Sequence, residues 1–166
     1  MKTQTLILAA ALFLSGAGFA GCSDSDEAPT AAGTPPVAPS QEITDSFEAH
    51  LSGYSSDFNF SHIDCYETEC FLINTVDGLR EIVPEPIELP DIDFAKYSLI
   101  VGQYVFEEPR YSLESQAVET GTDVLTLNLV YRVLDGAAPA VIAPYYFWGL
   151  YDKLPEYEVN VNIVTF

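Results

Sequence analysis

Basic residues are scarce: six Lys and Arg stand against 25 Asp and Glu in 166 residues, for a formal net charge of −19. A surface this acidic is repelled by phosphate backbones and by anionic headgroups, which disfavours nucleic-acid binding and electrostatic attachment to membranes. Histidine is scarcer still. His50 and His62 are the only two, which restricts acid–base or zinc chemistry near neutral pH. Beyond the N-terminus no long apolar run occurs, which excludes a polytopic membrane protein. Heptads and long charged blocks are missing too, so neither a coiled coil nor a wholly disordered chain fits. No Gly-x-Ser-x-Gly, His-Glu-x-x-His, phosphate-cradling glycine loop or EF-hand pattern is found. What remains, 48% apolar and 13% aromatic, fits one globular domain with accessory segments.

The N-terminus has the three parts of an export signal: a single charge at Lys2, an apolar run from Leu6 to Leu14, and small residues from Ser15 to Gly18. The apolar run is too short for a permanent membrane helix, which needs about 20 residues. Phe19-Ala20-Gly21-Cys22 resembles the lipobox of bacterial lipoproteins, with Phe19 in place of the usual Leu. That resemblance implies cleavage before Cys22 and acylation of its thiol, palmitate included. An ordinary signal cleaved after Ala20 would leave a free thiol near the start of an exported chain, which is chemically odd. Several acyl chains on one cysteine anchor durably where a single chain does not.

The acidic cluster Ser23 to Glu27 resembles surface-export signals of some Gram-negative lipoproteins; a plain solvated tether start is the alternative. Pro29, Pro35, Pro36 and Pro39 follow among small residues. Such a stretch buries too little apolar area to fold. The expected organisation is therefore a leader over 1–21, a lipidated Cys22 with an unfolded acidic and Pro-rich tether over 22–41, and one domain over 42–166. The expected location is the outer membrane or cell surface of a Gram-negative bacterium, held by lipid.

Within the domain, Ser98 to Phe106 and Val124 to Val133 are dense in strand formers. Val159 to Val164 alternates Val and Ile with Asn, a period-two pattern with one buried face. Gly121-Thr122-Asp123 joins Tyr111 to Thr120 with the second of these runs as a hairpin. Helical signals are few. Thr44 to Leu51 allows two turns, and Thr75 to Ile82 is either a short helix capped by Asn74 or Thr75 or, from Asp77-Gly78, a hairpin. Pro84, Pro86 and Pro90 exclude regular structure until about Tyr97. The fold class expected is mainly β, a β-sandwich or half-open barrel with one or two short helices.

Cys65 and Cys70 enclose four residues, and in an oxidising compartment they are expected to form a structural disulfide pinning a turn. The loop is short, so its contribution is small, roughly 2 kcal/mol. Neither a Cys-x-x-Cys spacing nor a second pair supports redox or zinc chemistry. His62 and Asp64 with nearby Asp57 make a weak metal pattern best read as solvated surface, and no metal or cofactor is expected. The carboxylate pairs Glu107-Glu108, Asp91-x-Asp93 and Glu156-x-Glu158 arise from composition alone.

The most unusual segment is Pro144-Tyr145-Tyr146-Phe147-Trp148-Gly149-Leu150-Tyr151. In a strand, alternate side chains point to opposite faces. Either one set of Tyr145, Tyr146, Phe147, Trp148 and Tyr151 faces outward as a candidate binding surface for protein or glycan, or a second layer, such as a helix or the Pro-rich segment, covers both faces.

Leu89-Pro90-Asp91-Ile92-Asp93-Phe94-Ala95-Lys96 and the following run to Val101 resemble the Pro-x-x-Asp-Phe-x-Lys lead-in found in a family of C-terminal domains from protease complexes. The likeness spans about residues 69–166. It implies a strand before Asn74 and a short helix after it, which favours the helix over Thr75 to Ile82. The family's Thr-Gly-Gly-Tyr turn is replaced here by Glu107-Glu108-Pro109-Arg110-Tyr111. The resemblance implies a small β-rich module accompanying a surface protease, with no catalytic residues to carry over. The reading is then a lipid-anchored, noncatalytic binding or accessory module. Its partners are the membrane, through the lipid, and a surface protein of protease type or a glycan. The alternative is an envelope hydrolase of glycan or peptide using a carboxylate pair, recognisable as a concave pocket where two carboxylates converge.

Overall fold

Strands that alternate and strands that are apolar throughout call for different surroundings, and the chain has both kinds. A computed structural model of the protein describes residues 28–52, 55–61, 64, 66–137 and 141–166. In chain order these form α1 (Gln41–His50), β1 (Leu51–Ser52), β2 (Ser55–Ser56), β3 (Thr68–Ile73), α2 (Val76–Ile82), β4 (Tyr97–Phe106), β5 (Tyr111–Thr120), β6 (Val124–Val133), β7 (Ala143–Asp152) and β8 (Glu158–Thr165). The leader, Cys22, the acidic cluster to Glu27, His62 and Cys65 lie outside the described residues.

Two separate three-stranded sheets result, ordered β3-β4-β7 and β5-β6-β8. The architecture is sandwich-like rather than a half-open barrel. All pairings in the two large sheets are antiparallel except β6 with β8. Between the sheets lies one core, with Ile100, Phe106, Phe147 and Tyr151 meeting Val118, Leu125, Leu127, Leu129 and Tyr131. A second core covers the opposite face of the first sheet. There Leu99, Val101 and Leu150 pack against Ile43 and Phe47 of α1, Leu79 and Ile82 of α2, and Phe58 and Ile92 from irregular segments. The first sheet is thus sandwiched on both faces, which is why β4 and β7 are apolar at nearly every position.

Both helices start at side-chain caps. Ser40 accepts from the Ile43 N–H, and Thr75 accepts from the Gly78 N–H, settling the segment after Asn74 as a helix capped by Thr75 rather than a hairpin. The hairpin of β5 and β6 forms as expected, with one irregularity. Its register shifts between Leu113 and Ser115. Such a bulge places an extra residue in one strand and changes which side chains face inward. Leu113 faces the inter-sheet core before it, and Gln116, opposite Leu129, takes the inward side after it.

Two expectations change. The stretch expected to be an unfolded tether is docked from Ala31 onward. Ala31 packs on Ala117 and Val130, Thr34 bridges Val118 through N–H and C=O at 2.9 Å each, and the Val37 N–H donates to the Leu150 carbonyl at 2.7 Å. The physical reason is that this strap is held by backbone hydrogen bonds at strand edges, which composition does not reveal. Gly33 turns the strap inward with φ of 112°, and a Cβ there would lie 2.6 Å from the Val118 oxygen. The second change concerns Cys70. Its thiol is free and packs into the core between the sheets, and burial pushes its pKa up to about 12. The disulfide expected at Cys70 is thus not formed.

Candidate functional site

The aromatic segment expected as a binding surface forms β7, at an edge of the first sheet. Its side chains divide by parity. Tyr145, Phe147 and Tyr151 face the second sheet, where Tyr145 meets Phe106 edge-on at 5.1 Å. Tyr146 and Trp148 face the helical layer. Trp148 stacks on Phe47 at 4.6 Å, and Tyr146 leans on Phe60 at 5.3 Å. Both faces are covered, and Phe147 and Tyr151 are each only 1% exposed. The five residues therefore do not form one outward surface; sheet and helix together bury what the alternation had to place somewhere.

Beside these covered faces lies the edge of β7, two of whose outward carbonyls are already occupied. Successive residues of an antiparallel strand turn their peptide groups alternately toward and away from the neighbour. The Trp148 carbonyl accepts from Gln116 Nε2 at 2.6 Å, and the Leu150 carbonyl accepts from the Val37 N–H. Tyr146, Trp148 and Leu150 hence direct their peptide groups away from β4. Over this edge lies a cavity of about 410 Å³. Its walls are the strap (Pro36, Val37, Pro39), Thr44, Leu51, Leu113 and Gln116 of β5, and residues 146–150. A second concavity of about 390 Å³ continues along Pro35, Pro36 and Leu113 to Gln116. Together they form a groove along the seam between β5 and β7.

The groove is apolar with a few polar groups. Gln116 offers its amide because the bulge turns it inward. Gly149 permits close packing: a Cβ there would stand 3.0 Å from the Tyr151 ring and 3.1 Å from both Gln116 Nε2 and Tyr151 Oη, so these groups already fill the space beside it. The Tyr151 hydroxyl is buried without a hydrogen-bond partner, and burial raises its pKa. Among the described residues, no carboxylate lines the cavity over β7.

The remaining sequence candidates find structural partners. His50 Nδ1 lies 3.0 Å from Asp57 Oδ2. No cluster of three metal-ligating side chains occurs among the described residues, and Asp64 is exposed. Asp93 closes the turn before β4: its carboxylate accepts from the Ala95 N–H at 3.2 Å and pairs with Lys96 at 2.9 Å. Lys96 draws the Asp93 pKa down. Lys153 ties the same turn to β7 through the Phe94 carbonyl at 2.7 Å. The Asp93-Phe94-x-Lys96 lead-in is thus a turn-and-staple device. Glu108 and Arg110 form a close bidentate pair across the turn that follows β4.

Sequence reasoning missed Gln116, Gly149 and the strap. A bulge has no dependable sequence signal, and a groove lined by residues from positions 36 to 150 depends on tertiary placement. No helix among the described residues is long and apolar enough to cross a membrane. The chain matches no family model, no curated protein and no solved structure.

Proposed function

We propose that this protein is a lipid-anchored envelope protein, carried by Cys22 at the outer membrane or cell surface, that acts as a noncatalytic binding module for an extended segment of a partner protein. The observation that carries the binding part is the groove over the β7 edge. Its strand edge already receives one main-chain hydrogen bond, from the Val37 N–H to the Leu150 carbonyl. An added strand obtains affinity from main-chain hydrogen bonds and specificity from pockets for alternate side chains, and here Trp148, Tyr146, Leu113 and the strap prolines supply apolar contacts. Glu114 on the adjoining concavity and a net charge of −19 favour partners with basic flanks, which such a field steers. A protein accessory role is preferred over glycan binding because few polar groups converge in the groove. Among the described residues the groove's walls carry one carboxylate, Glu114, which weighs against the hydrolase reading, since that chemistry requires two.

A library of extended hexapeptides, titrated against the fluorescence of Trp148, tests this reading. Bound sequences are expected to lose affinity about tenfold when N-methylated at alternate residues and to be unaffected at the residues between. Indifference to N-methylation at every position overturns strand addition. Turnover of peptide or glycan substrates without stable binding establishes the hydrolase instead.

A further inference from the structure

Eight large apolar side chains stay exposed among the described residues, and all but Val76 gather at one end of the sandwich. Register fixes that end. Phe106 pairs Ala143, Tyr111 pairs Val133, and Tyr131 pairs Thr165. The Val133 N–H donates to the Phe166 carbonyl, and the Leu134 N–H to the Arg110 carbonyl. Val133, Leu134, Val141, Ile142, Val164 and Phe166 consequently stand together, with Val141 and Ile142 each more than half exposed. The opposite end is charged. It carries Asp77, Asp93, Glu119, Asp123, Asp152, Glu156 and Glu158, all exposed.

The strap shows which end the N-terminal segment approaches. The Ala32 carbonyl accepts from Asn128 Nδ2 at 2.9 Å, and one residue upstream Ala31 donates to Ser115 Oγ and packs on Val130. Moving toward the N-terminus, the chain advances along β6 from Asn128 toward Val133, the apolar end. From Val130 to Val133 is about 10 Å at strand spacing. Ala31 lies nine positions after Cys22, a span of at most about 30 Å.

We infer that the end bearing Val133, Leu134, Val141, Ile142, Val164 and Phe166 rests on the zwitterionic lipid surface to which Cys22 is anchored, with these side chains in the headgroup and upper acyl region. The inference rests on the anchoring reading above. Exposed apolar side chains at one end add attraction that does not depend on charge. The acids near this end are Glu108, paired with Arg110, Glu114, paired with Arg132, and Asp64, Glu67, Glu107 and Asp135 at the rim. Repulsion from anionic lipid restricts the contact to headgroups of zero net charge. In this pose the strands stand upright and the β5–β7 groove opens sideways, clear of the lipid.

The test uses the acylated protein in phosphatidylcholine vesicles whose acyl chains carry bromine, a contact quencher of tryptophan. Ile142→Trp and Val76→Trp are each placed in a Trp148→Phe background. Quenching at least twofold greater for Ile142→Trp than for Val76→Trp is expected. Hydrogen exchange on the unsubstituted acylated protein guards against misfolded variants, and amides of 133–135 and 141–142 are expected to slow on vesicles relative to lipid-free detergent. Equal quenching and unchanged exchange, with acylation verified by mass, overturn the inference alone. Protection of the same amides in detergent that grows with protein concentration assigns this end to a second copy and likewise overturns it. An unmodified Cys22 overturns the anchoring reading, and the inference with it.

Discussion

In β4 eight of ten residues are buried, whereas β8 buries none fully and alternates half-buried with exposed positions. The two strands lie in different sheets of the same sandwich. β4 sits in the middle of the first sheet, with the second sheet on one face and helices on the other. β8 borders the second sheet, whose outer face carries Glu158, Asn160, Asn162 and Val164. A side chain in the first sheet has protein on whichever side it points to. In β8 only alternate side chains do.

Neighbouring residues make the sharpest test of that difference. Leu99 faces the helical core and Ile100 the inter-sheet core, and neither exceeds 1% exposure. Leu99→Ala and Ile100→Ala are each expected to lower stability by about 2–5 kcal/mol, the range for large-to-small changes in packed cores. In β8 the adjacent pair should split. Val164→Ala is expected within about 0.5 kcal/mol of the parent, as for open surface sites, while Ile163→Ala shows a clear loss. Urea unfolding measures all four. A small effect at Leu99 would mean that the helical layer is not packed as described, and the comparison between sheets would break.

A smaller effect is expected from the strap that reaches both sheets. Gly33 and Gly136 both have positive φ, at 112° and 123°. They differ in surroundings: a Cβ on Gly33 meets the Val118 carbonyl, and one on Gly136 meets nothing within 4 Å. Gly33→Ala is therefore expected to destabilise by about 1–3 kcal/mol and to expose the strap to proteolysis, while Gly136→Ala carries only the strain of its own backbone. Equal losses in the two variants would show that the Val118 contact contributes nothing.

These elements differ in how far the sequence disclosed them. β6 spans the residues read from its composition, and the alternation of Val159 to Val164 reported the solvated face of β8. Such patterns are local, because the period of a strand is written in consecutive residues. The cover over Trp148 comes from Phe47, a hundred positions upstream, so its burial could be posed as an alternative but not decided. The strap escaped because its hold on the domain consists of main-chain bonds from Thr34 and Val37, which any residue except proline can donate. Gln116 escaped for a third reason: the bulge at Glu114 inverts the parity from which an inward or outward side would be read.

Titration sharpens the comparison from inside the core that the two sheets share. Cys70 has a folded pKa raised by burial from 9.0 to about 12, and the buried Tyr131 and Tyr151 hydroxyls are raised as well. Above pH 9 the unfolded chain loses the thiol proton while the folded chain keeps it. The unfolded state then binds fewer protons, so stability falls as pH rises. The contribution is fully present below about 9 and declines toward 12 by at most about 1.4 kcal/mol per pH unit for one group, with the tyrosines adding to the decline above 10. Urea midpoints of the reduced protein between pH 8 and 11 measure it, and Cys70→Ala is expected to flatten the first part of the curve while leaving the tyrosine part. The same partial burial keeps the thiol protonated, so a disulfide reagent should react with Cys70 far more slowly before unfolding than after. A Cys70 silent in both states under non-reducing conditions would identify the cystine with Cys65. A Cys70 as reactive folded as unfolded would mean that the sheets do not close over it.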